Sequence, residues 1–319
     1  MKESKHLNIA VAADTNYASF VSVLLVSLFE NNKDFEFVTI YLLSNGIMEQ
    51  KIDEIRDNIP KGNGELVVCN ISDIKQRLSV DIPPTISITA YSRLFIASLV
   101  PENIDKIIYM DVDAIIVGSL YELWNHDEKE FLVSGVLDDV SLFAKKAIGL
   151  SQNTPYINAG FLLINLKLWR KCEIEKKIVE YLIAHDGNVY HHDQGLINAI
   201  CQNRIRILPI NYNMVTNFFV FPYSSFKQTP FYSEEEFKGG LSKPVFLHFT
   251  AGVAGRPWMK GCRHPMKHLF LDYLKKTRLA HDIIREDDRP LRLKFLAFLY
   301  YKAKPLYYLA LRIRSMVKE

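Results

Sequence analysis

The chain has 319 residues, 49% of them hydrophobic and 24% charged, with a net charge of +3 at pH 7. That composition fits one large soluble domain or two smaller ones and excludes a low-complexity or fibrous chain. The charge is unevenly placed. Arg289, Arg292, Lys294, Lys302, Lys304, Arg312, Arg314 and Lys318 put eight basic residues and no acidic one into 289–318, which leaves the remainder at −5.

In chain order, the N-terminus "MKESKHLNIAVAAD" opens with basic residues, but its apolar stretch Leu7–Ala13 is short and ends on an aspartate. It reads as a first strand and not as a signal peptide. No apolar run approaches the roughly 18 to 20 residues of a membrane span; "VSVLLVSLF" at Val21–Phe29 reaches about half that length. Further strands are expected at 35–44, 65–70, 106–110 and 131–138, with helical spacing in Tyr17–Asn32 and Ile47–Asn58 between the first of them. A glycine-bounded strand "AGFLLINLKLW" follows, then a helix to about His185, a helix from Gly195, a strand at 243–249 and a helix over Pro265–Lys276. Strand alternating with helix predicts an α/β fold with a mainly parallel central sheet. Ligands of such sheets bind beyond the carboxyl ends of the strands, so the loop "AADTNYA" after the first strand and "DVD" after the fourth should share one rim. Neither GxGxxG nor GxxxxGK[ST] occurs, which removes the usual phosphate cradles of dinucleotide dehydrogenases and P-loop enzymes. Cys69, Cys172, Cys201 and Cys262 lie far apart without a CxxC pairing and read as reduced cytosolic thiols.

Within "IIYMDVDAIIVGSL", residues i and i+2 of an extended chain point to the same side, so Asp111 and Asp113 can aim at one point while Val112 faces the core. Two hard oxygens at one point suit a divalent cation that also takes substrate phosphates and water. The pair could equally cap the helix that follows Ser119, since aspartates are common at turns.

The neighbouring motifs bear on that choice. "AADTNYA" (12–18), "SITAYSRL" (87–94), "YMDVDAII" (109–116), "INAGFLLINLKLWR" (157–170), "HHDQGLIN" (191–198) and "HF…RPW" (248–258) together resemble the family-8 glycosyltransferases. These are the retaining group that includes bacterial lipopolysaccharide galactosyl- and glucosyltransferases and glycogenin. The resemblance spans roughly residues 7–260 and implies a GT-A type nucleotide-sugar fold. It implies Asp111, Asp113 and His248 as ligands of Mn²⁺, with Mg²⁺ as a possible substitute, because imidazole is a softer donor than carboxylate. Ala12, Asp14, Asn16 and Tyr17 would hold the uridine of a UDP-hexose, and Arg93 its ribose or diphosphate. Asp138, Asn158, Asp193 and Gln194 would surround the donor sugar, the last two as catalytic candidates. Asp14 and Asn16 also fit a plain Asx turn, Arg93 a solvated helix face, and each of the four sugar-side residues a helix cap.

Gln194 near the nucleophile position is an amide and a poor nucleophile, which favours same-face attack by the acceptor hydroxyl within a short-lived ion pair. The loop "HFTAGVAGRPW" is two residues longer than the family's usual form and carries Arg256 where lysine is expected. Gly252 and Gly255 are both candidates for presenting an N–H to the phosphates.

Two units are expected: residues 1–280 as the glycosyltransferase domain and 281–319 as a basic amphipathic extension. Interrupted by Pro305, the extension reads as two short helices or one kinked helix lying on an anionic membrane, or else packed on the body. The expected partners are a UDP-hexose, a glycan or glycolipid acceptor such as lipopolysaccharide core, and a membrane surface. Nucleic acid is not expected, because the acidic remainder offers no second basic surface. The expected location is cytoplasmic, peripheral on the inner face of the membrane. The competing reading is a non-catalytic nucleotide-sugar or glycolipid binding module of the same fold.

Overall fold

A computed structural model describes residues 5–78, 87–126, 130–226, 230–277 and 283–318. The central sheet has seven strands: β1 (His6–Asp14), β2 (Phe37–Asn45), β3 (Gly64–Asn70), β4 (Lys106–Met110), β6 (Val133–Leu137), β7 (Ile157–Asn165) and β8 (Ile205–Ile207), in the order β3-β2-β1-β4-β7-β6-β8. Only β7 runs against its neighbours, so the sheet is mainly parallel, as expected. Its strands are continuous apolar runs because both faces are covered. Leu7, Ile9 and Val11 of β1 belong to one buried cluster, while Ala10 and Ala12 belong to another on the opposite face. Ile108 and Met110 against Ile107 and Tyr109 divide β4 in the same way.

A second sheet carries β5 (Ala114–Ile116), β9 (Met214–Val215) and β10 (Phe246–His248) in the order β5-β10-β9. β5, β8 and β9 have two or three residues each and leave no periodic signal. The expected strand "AGFLLINLKLW" stops at Asn165, whose side chain accepts from Leu168 N–H at 2.9 Å and opens the helix Leu166–Lys171. The helix expected from Gly195 begins at His192, and the one expected from Pro265 begins at Lys267.

The expected boundary at 280/281 falls outside the described residues. Beyond it, Ile283 is fully buried in the main core, and Arg285 sits over the Phe20 ring and donates to Asn16 O at 2.6 Å. Residues 283–289 therefore pack as body. The extension then forms two helices, Leu291–Lys302 and Lys304–Lys318, with Pro305 in the first turn of the second, where its missing N–H costs nothing. Ala297, Leu299, Tyr300 and Tyr307 bury one side against Val220, Phe221 and Val253. The side chains of Arg312, Arg314 and Lys318 lie outside the described residues.

Candidate active site

β1 and β4 are parallel neighbours with Val11 opposite Met110, so the loops that follow them leave the sheet side by side. After Met110 the chain bends through Asp111, Val112 and Asp113 into β5. Val112 is buried and the two carboxylates converge. The third group arrives through the small sheet. His248 pairs with Ala114, and Phe249 N–H donates to Asp113 O at 2.8 Å. His248 Nε2 consequently lies 3.1 Å from Asp113 Oδ1 and 3.7 Å from Asp111 Oδ2. β7 runs directly against this cluster, with Asp111 N–H donating to Gly160 O at 2.8 Å. A Cβ at position 160 would fall 2.2 Å from His248 Cε1 and 2.9 Å from Asp111 Oδ2, so only glycine fits. The helix-cap alternative for the aspartates fails: the next helix is opened by Ser119 Oγ, which accepts from Tyr121 N–H at 3.2 Å, and by Asn32 Oδ1, which accepts from Leu120 N–H at 2.7 Å.

A chain of hydrogen bonds decides which nitrogen of His248 faces the aspartates. Gly160 N–H can only donate, and it donates to Asn158 Oδ1 at 2.9 Å. Asn213 must then present Nδ2 to that same oxygen, at 2.8 Å, which leaves its Oδ1 facing His248 Nδ1 at 3.1 Å. Nδ1 therefore carries a hydrogen, and Nε2 is the nitrogen turned toward Asp111 and Asp113. A bare Nε2 lone pair 3.1 Å from a carboxylate oxygen is repulsive, so the gap requires either a proton or a metal ion. Burial alone would lower the His248 pKa, but Asp113 and Asp111 outweigh it and hold it above its ordinary value. Burial alone would raise Asp113, but His248 and Arg256 hold it below the usual carboxylate range. Two carboxylates and one imidazole whose ligand atoms lie within 4.8 Å of one another fit a divalent cation, and the tautomer is the one ligation needs.

Arg93 is buried and not on a solvated helix face. Its Nη2 donates to Asp111 Oδ1 at 2.8 Å, Nη1 to Ala159 O at 2.7 Å, and Nε pairs with Asp193 Oδ2 at 3.0 Å. Tyr109 supports it with a ring 4.4 Å below the guanidinium and an O–H donated to Asp111 Oδ1 at 3.0 Å. Asp193 and Gln194 lie in the first turn of the helix His192–Cys201, which His191 and His192 open in the left-handed region at φ 60° and 53°. Two successive non-glycine residues there store strain that aims the pair inward. Gln194 Oε1 accepts from Ala159 N–H and Nε2 donates to Asp138 Oδ2, both at 3.1 Å. Asn158 donates to the same Asp138 oxygen at 3.1 Å, which leaves Oδ1 of Asp138 free to accept.

Asp14 does form the Asx turn, accepting from Asn16 and Tyr17 N–H at 2.9 and 3.1 Å, and its second oxygen remains available. With Ala12, Tyr17, Arg93, Asp111 and Asp113 it lines a cleft of about 240 Å³. Arg256 holds two of the lining residues, donating to Tyr17 Oη at 3.1 Å and Asp113 Oδ2 at 3.3 Å. Gly255, at φ +73°, spends its N–H on Gly252 O at 3.2 Å. The structure thus brings Asp14, Tyr17, Arg93, Asp111, Asp113, Asp138, Asn158, Asp193, Gln194, His248 and Arg256 together around one rim, whereas Arg170 of "INAGFLLINLKLWR" lies at the opposite end of β7, donating to Ala97, Glu102 and Ile104 O. Asn213, Gly160 and Tyr109 also belong to the rim and were not singled out. An asparagine directly before the apolar pair Met214–Val215 was the available signal for Asn213, whose burial only the structure shows.

Glycosyl transferase family 8 matches residues 8–262. General stress protein A of Bacillus subtilis is 25% identical over 87% of this chain and 96% of its own length. The lipopolysaccharide 1,2-glucosyltransferase of Escherichia coli K12 is 25% identical over 89% of this chain and 82% of its own. Among solved structures, the galactosyltransferase LgtC in complex with donor and acceptor sugar analogs superposes with a TM-score of 0.73 at 24% identity, covering 85% of this chain and 96% of that one. The fold is therefore of the GT-A type. With the family's match running across the whole sheet and its rim, this chain belongs to glycosyl transferase family 8.

Proposed function

We propose that the protein transfers a hexose, galactose or glucose, from a UDP-sugar to a glycan with retention of anomeric configuration. The observation that carries this is the convergence of Asp111, Asp113 and His248 at the β1/β4 rim, beside a cleft whose Tyr17 and Asp113 are held by Arg256. Bound there, Mn²⁺ (or Mg²⁺ as a substitute) supplies Lewis-acid neutralisation of the diphosphate as the bond to the anomeric carbon breaks. Asp14, Asn16 and Tyr17 hold the uridine, and Arg256 grips the diphosphate once it turns from Asp113. Gly252, whose N–H is not used inside its turn, is the better candidate than Gly255 for a phosphate contact.

Arg93 takes a different role from direct contact with ribose or diphosphate, because its guanidinium is held by Asp111, Asp193 and Ala159. It fixes the two carboxylates. The free oxygen of Asp138 accepts a sugar hydroxyl, and Gln194, locked at both ends of its amide, orients the sugar and does not attack it. Same-face attack by the acceptor hydroxyl follows. A glycosyl adduct trapped on Asp193 or Gln194 would overturn it.

The lipopolysaccharide 1,2-glucosyltransferase and 1,3-galactosyltransferase among the relatives support a hexose donor and a lipopolysaccharide or lipooligosaccharide core acceptor. Such an acceptor favours a peripheral site on the inner face of the cytoplasmic membrane. No described helix is long and apolar enough to cross a membrane, but the C-terminal pair exposes Leu291 (83%), Phe295 (59%) and Phe298 (59%) beside Arg292, Lys302 and Lys304. Apolar rings among basic groups suit a helix lying in an anionic interface.

The test is nucleotide release from UDP-galactose and UDP-glucose with Mn²⁺ and with EDTA. Metal-dependent UDP is the expected product; UMP would indicate phosphotransfer. UDP binding without turnover, acceptors included, would make the protein a binding module.

A further inference from the structure

Where the C-terminal helices meet the body, three cations surround a second cavity of about 240 Å³. Arg263 comes from the loop after Trp258 and lies over the Tyr301 ring, 4.6 Å from its centroid. Lys294 and Lys302 come from the helix Leu291–Lys302, on the same face as Phe298 and Tyr301 by their i, i+4, i+7, i+8 spacing. The two other charged groups in the lining neutralise each other. Arg289 donates to Asp287 Oδ1 and Oδ2 at 2.8 and 2.7 Å, and spends its remaining reach on the carbonyls of Gly252 and Val253 at 3.0 and 2.9 Å. Arg263, Lys294 and Lys302 form no close ion pair among the described residues; Lys294 lies near enough to Asp287 to help hold that carboxyl low, which leaves the lining with a net excess of three positive charges. Three like charges in one concavity repel one another unless an anion enters.

The cavity also has an apolar lip. Phe298 lines it while remaining 59% exposed, and Leu291 and Phe295 extend that exposed surface along the same helix. A soluble phosphate would match the cations but not the lip. We propose that this cavity binds the phosphate headgroup of an anionic lipid, with Phe298 at the acyl boundary and Arg263, Lys294 and Lys302 on the phosphate oxygens. The inference rests on the proposed membrane attachment and specifies where it is anchored. Val253 lines the cavity too, so the headgroup lies against the loop that carries Arg256 toward the donor cleft.

The test uses the full chain and sedimenting vesicles of phosphatidylglycerol in phosphatidylcholine, compared with phosphatidylcholine alone, at about 0.15 M salt. Lys294→Gln/Lys302→Gln is compared with Arg292→Gln/Lys304→Gln, which removes the same charge from the helix pair but outside the cavity lining. Removing two basic groups weakens binding to an anionic surface in either variant, by about 1 kcal/mol per charge. The cavity variant is expected to bind phosphatidylglycerol vesicles at least five-fold more weakly than its charge-matched partner. Equal losses would overturn the headgroup site and leave membrane attachment standing. Failure of the unmodified protein to bind phosphatidylglycerol vesicles would overturn both, and glycerol 1-phosphate binding in that case would assign the cavity to a soluble phosphate.

Discussion

The rim of the central sheet and the C-terminal helix pair handle charge in opposite ways. At the rim each charged group is held by protein partners: Arg93 by Asp111 and Asp193, Asp138 by Asn158 and Gln194, and His248 by Asn213 and Asp113. On the helix pair, among the described residues, Lys294 and Lys302 make no close ion pair and large apolar side chains face outward. A site that stabilises a developing charge benefits from groups already fixed, since nothing reorganises at the moment of reaction. A surface that docks onto something else keeps its groups unspent until the partner arrives.

Substitutions at the two places should therefore separate stability from binding. The largest effect is expected from Arg93→Met. It leaves Asp193 without its cation and Asp111 with only the Tyr109 hydroxyl and His248 beside it, a loss of roughly 3 kcal/mol measurable by denaturant unfolding. A loss below about 1 kcal/mol would mean that the rim is not locked.

His264 gives the next effect, through pH. Burial lowers it to about 4, its Nε2 has no partner among the described residues, and it packs between Phe219 and Phe249. A histidine depressed in the folded state supports the fold above its unfolded value near 6.5, and that support is lost as pH falls toward 4. The acid limb between those values should steepen by on the order of 3 kcal/mol, and flatten in His264→Phe.

Asn213→Leu should weaken Mn²⁺ binding by about 10–100-fold, because the imidazole loses the partner that holds its proton on Nδ1. In the unaltered protein, affinity should rise with pH through the raised His248 value and level off above it, since the metal must displace the Nε2 proton. Calorimetry in two buffers of different ionisation enthalpy would register that proton. The smallest effect on stability is expected on the outward face of the helix pair. Phe295→Ser/Phe298→Ser should change unfolding by less than about 0.5 kcal/mol per site while reducing vesicle binding. A large stability loss there would show that the face is covered in the folded chain.

What the sequence disclosed follows the range of the interactions involved. Strands such as β1, β2 and β4 are long apolar runs, and their identity is a local matter of burial on both faces. Asp111 and Asp113 were visible because two carboxylates in one bend converge by backbone geometry alone. Asn213 and Gly160 were not, because each acquires its role from a strand far away in the chain: β9 beside β10, and β7 against β4. The same reason hid the protein partners of Arg93: Asp111 and Asp193, which lie 18 and 100 residues onward. Residues 283–289 looked like the start of an appended tail by charge, yet Ile283 and Arg285 pack on the core. A truncation meant to remove the extension alone should begin after Pro290, since Arg289 clamps the loop before Arg256.

The central claim is that Asp111, Asp113 and His248 hold a divalent cation against the leaving diphosphate. Electron paramagnetic resonance titration of Mn²⁺, with and without UDP, tests it most directly in the unaltered protein and in Asp113→Asn. The account predicts one bound Mn²⁺ per chain, tightened by UDP, and loss of both the ion and the tightening in Asp113→Asn. Unchanged Mn²⁺ binding by that variant, or binding indifferent to UDP, would contradict it.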